Sequence, residues 1–418
     1  MSKIDAVREK IRSYLIVHWR ILAFIALLAP FFTPNGFQRA IAPESDWVIL
    51  VGKVLSLGIA FFACLSKKRL DGFAAIAIAI FVVMMLSTAL NEGVERTWYY
   101  SRSFLYQHGF GLWAPVAAVA LLGCYARHDH MSDFLIAIFA VTGTLSLGNT
   151  ISAIMYPGGF SVGAPQVVNF YGHKNISIDI ILPSVLAALI LSRTYSRRFA
   201  PAAGLMIAFA AAQCVITYSA TSTVAFCAFL VLAALATSRK VRPLLNGLTF
   251  AACYVISCLL ILVLKVQDLF APLIIALGKT VTFTGRTYIW DTTLSLFDSS
   301  HLLLGYGTSF QFNIVYNGET YPHPHNFVLQ VLLSGGIIGI VLYAALIGLA
   351  VYALFKNRFD NNAAYISAAV GAMLLVGLME PITNATWPLL LTLGHYWHPT
   401  APSRKQLPTI ASPGFRYD

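Results

Sequence analysis

Apolar segments follow one another along almost the whole chain, each close to the ~20 residues that a bilayer core demands of a helix. Nearly all charged residues fall in the gaps between them. Candidate spans cover roughly residues 17–34, 47–65, 71–90, 108–126, 133–156, 176–192, 200–218, 221–237, 243–264, 326–355, 363–381 and 385–398. The first is broken by Pro30 and the last is short, so both are expected to tilt, re-enter or lie partly in the interface. Of 418 residues, 58% are hydrophobic and 11% charged, against about a quarter charged in soluble domains. One globule cannot hide that much apolar surface from water. The fold class expected is all-α, a polytopic transmembrane helix bundle of about twelve spans.

The basic residues set the orientation, because loops rich in Lys and Arg stay in the cytoplasm. One set of alternate gaps holds Lys3, Arg8, Lys10 and Arg12; Lys67, Lys68 and Arg69; Arg127; Arg193, Arg197 and Arg198; Arg239, Lys240 and Arg242; Lys356 and Arg358; Arg404 and Lys405. The other holds only Arg39, Arg96, Arg102, Lys174, Lys265, Lys279 and Arg286. This alternation is expected to place both termini in the cytoplasm. The formal charge of +11 is spread over these gaps, not gathered into a stripe, so nucleic acid is not an expected partner. Cys64, Cys124, Cys214, Cys227, Cys253 and Cys258 all lie in apolar segments without a CxxC pair, which argues against disulfides and a metal cluster. Ala40-Ile41-Ala42 resembles a signal-peptide cleavage site, but Pro43 behind it argues for a retained first helix.

Four regions follow: residues 1–264, the first part of the bundle; 265–325, a long outward loop; 326–398, the last part of the bundle; and 399–418, a proline-containing cytoplasmic tail. Three outward gaps exceed what a turn needs, at about 91–107, 157–175 and 265–325, and loops held by a rigid scaffold are where function concentrates. In the first, Trp98, Tyr99, Tyr100 and Tyr106 form an aromatic interface belt or a sugar-stacking surface.

The second gap ends in Gly172-His173-Lys174-Asn175. Asn175 is expected to cap the next helix, leaving His173 and Lys174 at its positive end, where amides attract anions; a lysine snorkelling to the headgroups is the alternative. In the third, Thr284-Gly285-Arg286 opens a segment in which Trp290, Leu294 and Phe297 recur at helical spacing, so an amphipathic interfacial helix is expected. A cation in a first helical turn is unfavourable, so Arg286 calls for either a bound anion or a salt bridge to Asp291. Further on, prolines on both sides of His323 stiffen the approach to His325, and Asn326 is placed to cap the following membrane helix. His325 is the candidate catalytic base. A His-x-His metal pair is the competing reading, for which no third ligand is evident, and a structural histidine is another.

Within the spans, Lys53, Asp179 and Glu380 stand out. Asp179 lies one turn below Lys174, close enough to orient it, and Glu380 is placed to steer a histidine or the acceptor; polar groups at wet helix ends are the plain alternative. Gly335 and Gly339 form a face for helix packing.

The order of Gly172-His173-Lys174-Asn175, Thr284-Gly285-Arg286 with Trp290, Leu304-Gly305-Tyr306-Gly307, His325-Asn326 with Leu329, Gly336 and Gly339, and Gly377-Leu378-Met379-Glu380 resembles the O-antigen ligase and exopolysaccharide polymerase family of bacterial envelope glycosyltransferases, the polymerase branch more closely. The resemblance implies a metal-independent, multi-helix glycosyltransferase of the inner membrane with no cofactor and a periplasmic active site. It implies an undecaprenyl diphosphate-linked oligosaccharide donor and a glycan or lipid-linked acceptor. Polysaccharide assembly and chain-length control proteins are further implied partners. Its conserved loop arginine falls on Arg286 and its histidine on His325. A further arginine of a Ser-Arg-Thr-like motif is missing, since this chain has Ser219-Ala220-Thr221-Ser222-Thr223, and Lys174 is the candidate replacement. Arg286, Lys174 and His173 are thus expected to bind the diphosphate, with Asn175, Asn326, His323, Asp179 and Glu380 in support. The expected activity is polymerisation of polysaccharide repeat units. Ligation of a glycan to lipid A core or protein is the alternative, and a transporter or flippase of a lipid-linked sugar or small anion is the alternative from another class.

Overall fold

The structure, a computed structural model, describes residues 18–42, 45–91, 102–127, 129–159, 167–266, 285–297, 299–308, 314–316, 318–321 and 323–399. The aromatic belt at Trp98, Tyr99 and Tyr100, most of the third outward gap before Gly285 and the tail after Pro399 lie outside the described residues, as does the side chain of Tyr106.

The described chain is a helical bundle with one short hairpin. The first helices are α1 (His18–Phe31), α2 (Asn35–Ile41), α3 (Asp46–Ser66), α4 (Gly72–Leu90), α5 (Arg102–Ala126) and α6 (Met131–Met155). After a 3-10 turn at Lys174–Ser177 come α7 (Ile178–Thr194), α8 (Ala200–Thr217), α9 (Ala220–Leu235) and α10 (Gly247–Cys258), the last continuing into a π turn at Leu259–Val263. Then follow α11 (Arg286–Ser295), the antiparallel strands β1 (Ile314–Tyr316) and β2 (Glu319–Tyr321), α12 (Phe327–Lys356), α13 (Asn361–Gly377) and α14 (Thr386–Tyr396). Among the described residues, seven helices are long and apolar enough to cross a membrane. Trp47, Phe62, Leu90, Val215 and Val255 are exposed around the bundle, as expected of a protein whose outer surface meets lipid and not water. This is an integral membrane protein.

The polar ends of the helices separate into two groups. At one end Arg127 pairs with Asp71, which also accepts from Tyr396 Oη at 2.9 Å, and Arg69 pairs with Asp129 at 3.4 Å. At the other end of α4, Thr88 and Asn91 hold the turn at residues 304–308. Asn91 Nδ2 donates to Gly305 O at 3.1 Å, Thr308 N donates to Thr88 Oγ1 at 3.0 Å, and Trp113 Nε1 reaches Thr308 Oγ1 at 2.9 Å. The Gly305-Tyr306-Gly307 turn therefore does not sit on the surface but plugs into the bundle.

It enters where α12 is broken. Gly336 has φ 60 and ψ −158, so the helix has two halves. The backbone groups freed by the break are paired with the inserted turn: Ile337 N donates to Leu302 O at 3.0 Å and Ile338 N to Leu303 O at 3.2 Å, while the Leu333 carbonyl accepts from Tyr306 N at 2.6 Å. Non-helical backbone survives at membrane depth only when protein satisfies it in this way. Gly335 and Gly339 pack against Met84 as the small-residue spacing suggests.

Two expectations change. The last candidate segment, 385–398, is shorter than drawn: α14 has 11 residues and is enclosed by neighbouring helices, with Trp387, Leu390 and Leu393 fully buried. The face of α11 also differs. Ile289, Trp290 and Thr293 are buried while Leu294 is exposed, because Trp290 Nε1 donates inward to Pro324 O at 3.0 Å.

A side chain at Gly336 would need a backbone region open essentially only to glycine and would meet the Leu303 carbonyl. Gly336→Ala should cost about 1–3 kcal/mol, lowering the thermal unfolding temperature in detergent. Gly58→Ala, with open space around it in α3, should cause no loss.

Candidate functional site

Three chain segments distant in sequence meet on one carboxylate. Glu380 Oε1 accepts from Arg286 Nη2 at 3.0 Å and from Asn175 Nδ2 at 3.3 Å, and Oε2 lies 3.1 Å from His325 Nδ1. The side chains of Arg286, His325 and Glu380 are partly buried. Burial pushes the Glu380 carboxyl up, but the hydrogen bond and charge of His325, together with Arg286, outweigh it and hold the group below its ordinary value. An ionised carboxylate only accepts, so the proton of this bond sits on His325 Nδ1. In a neutral ring bonded this way, Nε2 is the nitrogen left with a lone pair for another partner, as a general base needs.

Each member is fixed locally. Gly285, at φ 84, begins α11 against the Tyr316 ring and so delivers Arg286 in the first turn. Trp290 ties that helix to Pro324, next to His325. Asn326 caps α12 by accepting from Leu329 N at 3.1 Å, and its Nδ2 donates to Leu378 O at 3.1 Å, fastening the histidine segment to the segment that carries Glu380. His325 itself has φ 49, a left-handed conformation that non-glycine residues adopt only when their surroundings impose it. The Tyr321 ring stands edge-on to it at 5.8 Å and the His323 ring lies 4.0 Å away.

The remaining candidates divide. His173, not Asn175, caps the turn after the second gap, its Nδ1 accepting from Asn175 N at 3.4 Å. Asn175 instead bridges inward, because Ser219 Oγ donates to its Oδ1 at 3.3 Å and Ser222 Oγ to its backbone oxygen at 3.1 Å. Burial lowers the pKa of His173, Glu380 opposes this, and Lys174 and His325 add to it. Lys174 forms no ion pair among the described residues. Asp179 does not orient it. The Asp179 carboxylate accepts from Asn384 Nδ2 at 2.6 Å and its backbone oxygen from Thr386 Oγ1 at 2.5 Å, so it fixes the start of α14. Arg286 does not pair with Asp291, which binds Lys265 at 2.8 Å instead.

His323 is not a cation. Burial first, then His325, pushes its pKa down to about 3 against the opposing pull of Glu380, and its Nδ1 is buried without a hydrogen-bond partner among the described residues. The fold does supply the third ligand that the His-x-His pair lacks in sequence, since ligand atoms of His323, His325 and Glu380 lie within 4.8 Å of one another. Arg286 on Oε1 and His325 on Oε2 already engage this carboxylate, and a guanidinium beside the cluster repels a divalent cation. The geometry is that of a hydrogen-bonded acid-base cluster.

Ser219, Ser222, Trp290 and Asn384 went unrecognised as support residues. The Ser219 segment carried a signal, as the position where the resembling family often has arginine, and Trp290 carried one through its helical spacing and the motif it shares with Arg286, though neither pointed to the bonds made here.

Fold and site define a polytopic membrane protein with a glutamate-centred Arg/His cluster at one end of its helices. Residues 205–344 match the family model described as O-antigen ligase, a stretch that contains Arg286 and His325 but not Asn175 or Glu380. A curated O-antigen ligase of Pseudomonas aeruginosa is 38% identical over 96 residues, 23% of this chain and 24% of that protein. The alignment thus spans about a quarter of each. No solved structure matches. The two sequence matches show that part of the chain is similar to O-antigen ligases. Both carry the ligase description and so favour the ligase alternative over the polymerase that the motifs suggested.

The buried neutral His323 makes stability depend on pH. Its folded pKa of about 3 lies below the ordinary 6.5, so between these values the unfolded chain binds more protons and stability falls as pH falls. Hydrogen exchange over residues 314–327 should quicken as pH is lowered from about 6.5, after correction for intrinsic rates. His323→Leu should flatten that dependence above pH 4.5, the ordinary value for Glu380.

Proposed function

We propose that this protein is a membrane glycosyltransferase that moves a glycan from a polyprenyl diphosphate donor to an acceptor hydroxyl. The observation that carries the reading is the convergence of Arg286, His325 and Asn175 on Glu380, within a chain matched to O-antigen ligases. The acceptor oxygen attacks the anomeric carbon of the donor sugar, His325 Nε2 takes the hydroxyl proton, and the carbon–oxygen bond to the diphosphate breaks with its electron pair leaving on the phosphate. Glu380 stabilises the imidazolium that forms. The guanidinium of Arg286 has five N–H donors, so holding Glu380 still leaves donors for the departing diphosphate. Lys174 and His173 are the further phosphate-side groups. A diphosphate leaves without a protein acid, and no step calls for a metal.

The reading includes about twelve spans in a bacterial inner membrane, both termini in the cytoplasm and the cluster on the periplasmic side. The charge alternation along the sequence supports that topology, as does the separation of the Asp71–Arg127 end from the Glu380 end. Ligation to lipid A core or another non-repeat acceptor is the first reading, because both matches carry that description.

The test incubates purified protein with the host's lipid-linked glycan and, separately, with a lipid A core acceptor or with donor alone. Ligated core is the expected product; lengthened lipid-linked glycan would instead make it a polymerase, and flux across proteoliposomes without any product would make it a transporter. His325→Ala should reduce product formation by about 10²–10⁴-fold. Glu380→Gln, which keeps the shape but removes the charge that sets the His325 tautomer, should reduce it by a similar order. Arg286→Lys should fail to restore activity, because a point charge does not reproduce the planar fork. Unchanged product with His325→Ala would overturn the base assignment.

A further inference from the structure

The hairpin carries aromatic rings for which the proton transfer and the departing diphosphate have no use. Residues paired across an antiparallel ladder share a face, as do residues two apart on one strand. The ladder pairs Ile314 with Tyr321, Val315 with Thr320 and Tyr316 with Glu319. Ile314, Tyr316 and Tyr321 therefore stand on one face and Val315 on the other. Ile314 is buried against Ile289 and Leu333, and Val315 is exposed. Tyr316 and Tyr321 share the inward face yet are only partly buried. Two residues along the strand, about 6.6 Å, separate the level of Tyr316 from that of Tyr321.

Each end of this row abuts a member of the cluster. Tyr321 stands edge-on to His325 at 5.8 Å. The Tyr316 ring backs Gly285, the residue before Arg286, and meets the Tyr288 ring at 5.5 Å with an angle of 35° between the planes. Tyr288 is 49% exposed, because Ile289, Trp290 and Thr293 take the buried face of α11. Rings already held against one another lose little freedom when a ligand arrives. Their faces carry the negative side of the ring quadrupole, which attracts the weakly positive C–H groups on one side of a pyranose. We propose that Tyr288 and Tyr316, continued by Tyr321, form a glycan subsite that stacks a sugar ring of the donor or of the acceptor beside the bond-forming centre. The inference rests on the glycan-transfer reading above. Tyrosines of an interface belt anchor a protein among headgroups; these instead converge on the two residues assigned to the reacting atoms. A sugar stacked on them brings its neighbour into line with His325 and Arg286, the kind of positioning that lowers the entropic part of a barrier.

The test uses full-length protein in phosphatidylcholine nanodiscs with the host's lipid-linked glycan and a lipid A core acceptor. Tyr288→Ala should raise KM for one of the two substrates by about three- to tenfold and leave kcat within about twofold. A rise for the lipid-linked glycan puts the stacked sugar on the donor, and a rise for the core puts it on the acceptor. Tyr288→Phe keeps the ring and should keep the wild-type KM. Val315→Ala, on the opposite face of the same hairpin, should change neither constant. Binding is read without turnover by saturation-transfer NMR on the two oligosaccharides cleaved from their lipids. Ring C–H protons of one of them should be saturated by the wild type and by Tyr288→Phe, and weakly by Tyr288→Ala. Unchanged KM for both substrates in Tyr288→Ala overturns the subsite, as does a loss in kcat alone, the mark of a bilayer anchor or a loosened loop. An equal shift in Val315→Ala overturns it too. Wild-type product in the same assay separates the two readings: product with KM unmoved by Tyr288→Ala removes the subsite alone, whereas Tyr288-dependent saturation without product removes glycan transfer and leaves a glycan-binding face.

Discussion

The carboxylate of Glu380 is the point on which the outer end of this protein is assembled. It draws in a guanidinium from α11, an imidazole from the lead into α12 and an amide from the turn before α7. At low effective dielectric such charge-assisted bonds are strong, and a buried carboxylate without partners would be costly. One group therefore both organises the cluster and sets its chemistry, because its remaining ionised decides which nitrogen of His325 carries the proton.

That arrangement is rigid because of a break lower down. Gly336 interrupts α12, and the turn at 304–308 enters the gap, satisfying the freed amides and bonding to α4 and α5. The short outer half of α12, capped by Asn326, thus presents His325 from a packed element and not from the end of a long loop. A smaller apolar cluster of Ile289, Tyr306, Ile314 and Leu333 packs α11 and the hairpin onto the same half-helix. Precision at a site comes from support of this kind, here contributed by residues outside the cluster itself.

The family matches and the cluster bear on different parts of the chain. The matched stretch, residues 205–344, carries Arg286 and His325, while Glu380 and Asn175 lie to either side of it. Pairing across that boundary gives the chemistry a physical basis that neither the match nor the geometry supplies separately. The Ser219 segment, where the resembling family often has a second arginine, here braces Asn175.

Membrane class, the helical bundle and the residues of the cluster were legible in the sequence, because hydropathy and helix-start signals are local and act over a few turns. Asn326 as a cap, Gly335 and Gly339 as a packing face, and Glu380 as a partner for a histidine could all be read that way. What depends on contacts across hundreds of residues could not. The break at Gly336 looks like helix until the 304–308 turn is seen inside it, and Asp179 looks like a partner for Lys174 until Asn384 claims it. His323 and His325 stand two residues apart, yet burial and neighbouring charge push the His323 pKa down while His325 is held on a carboxylate. Sequence determines which groups stand at the ends of helices; packing alone decides which of them meet, because desolvation and pairing are properties of neighbours that the chain order does not name.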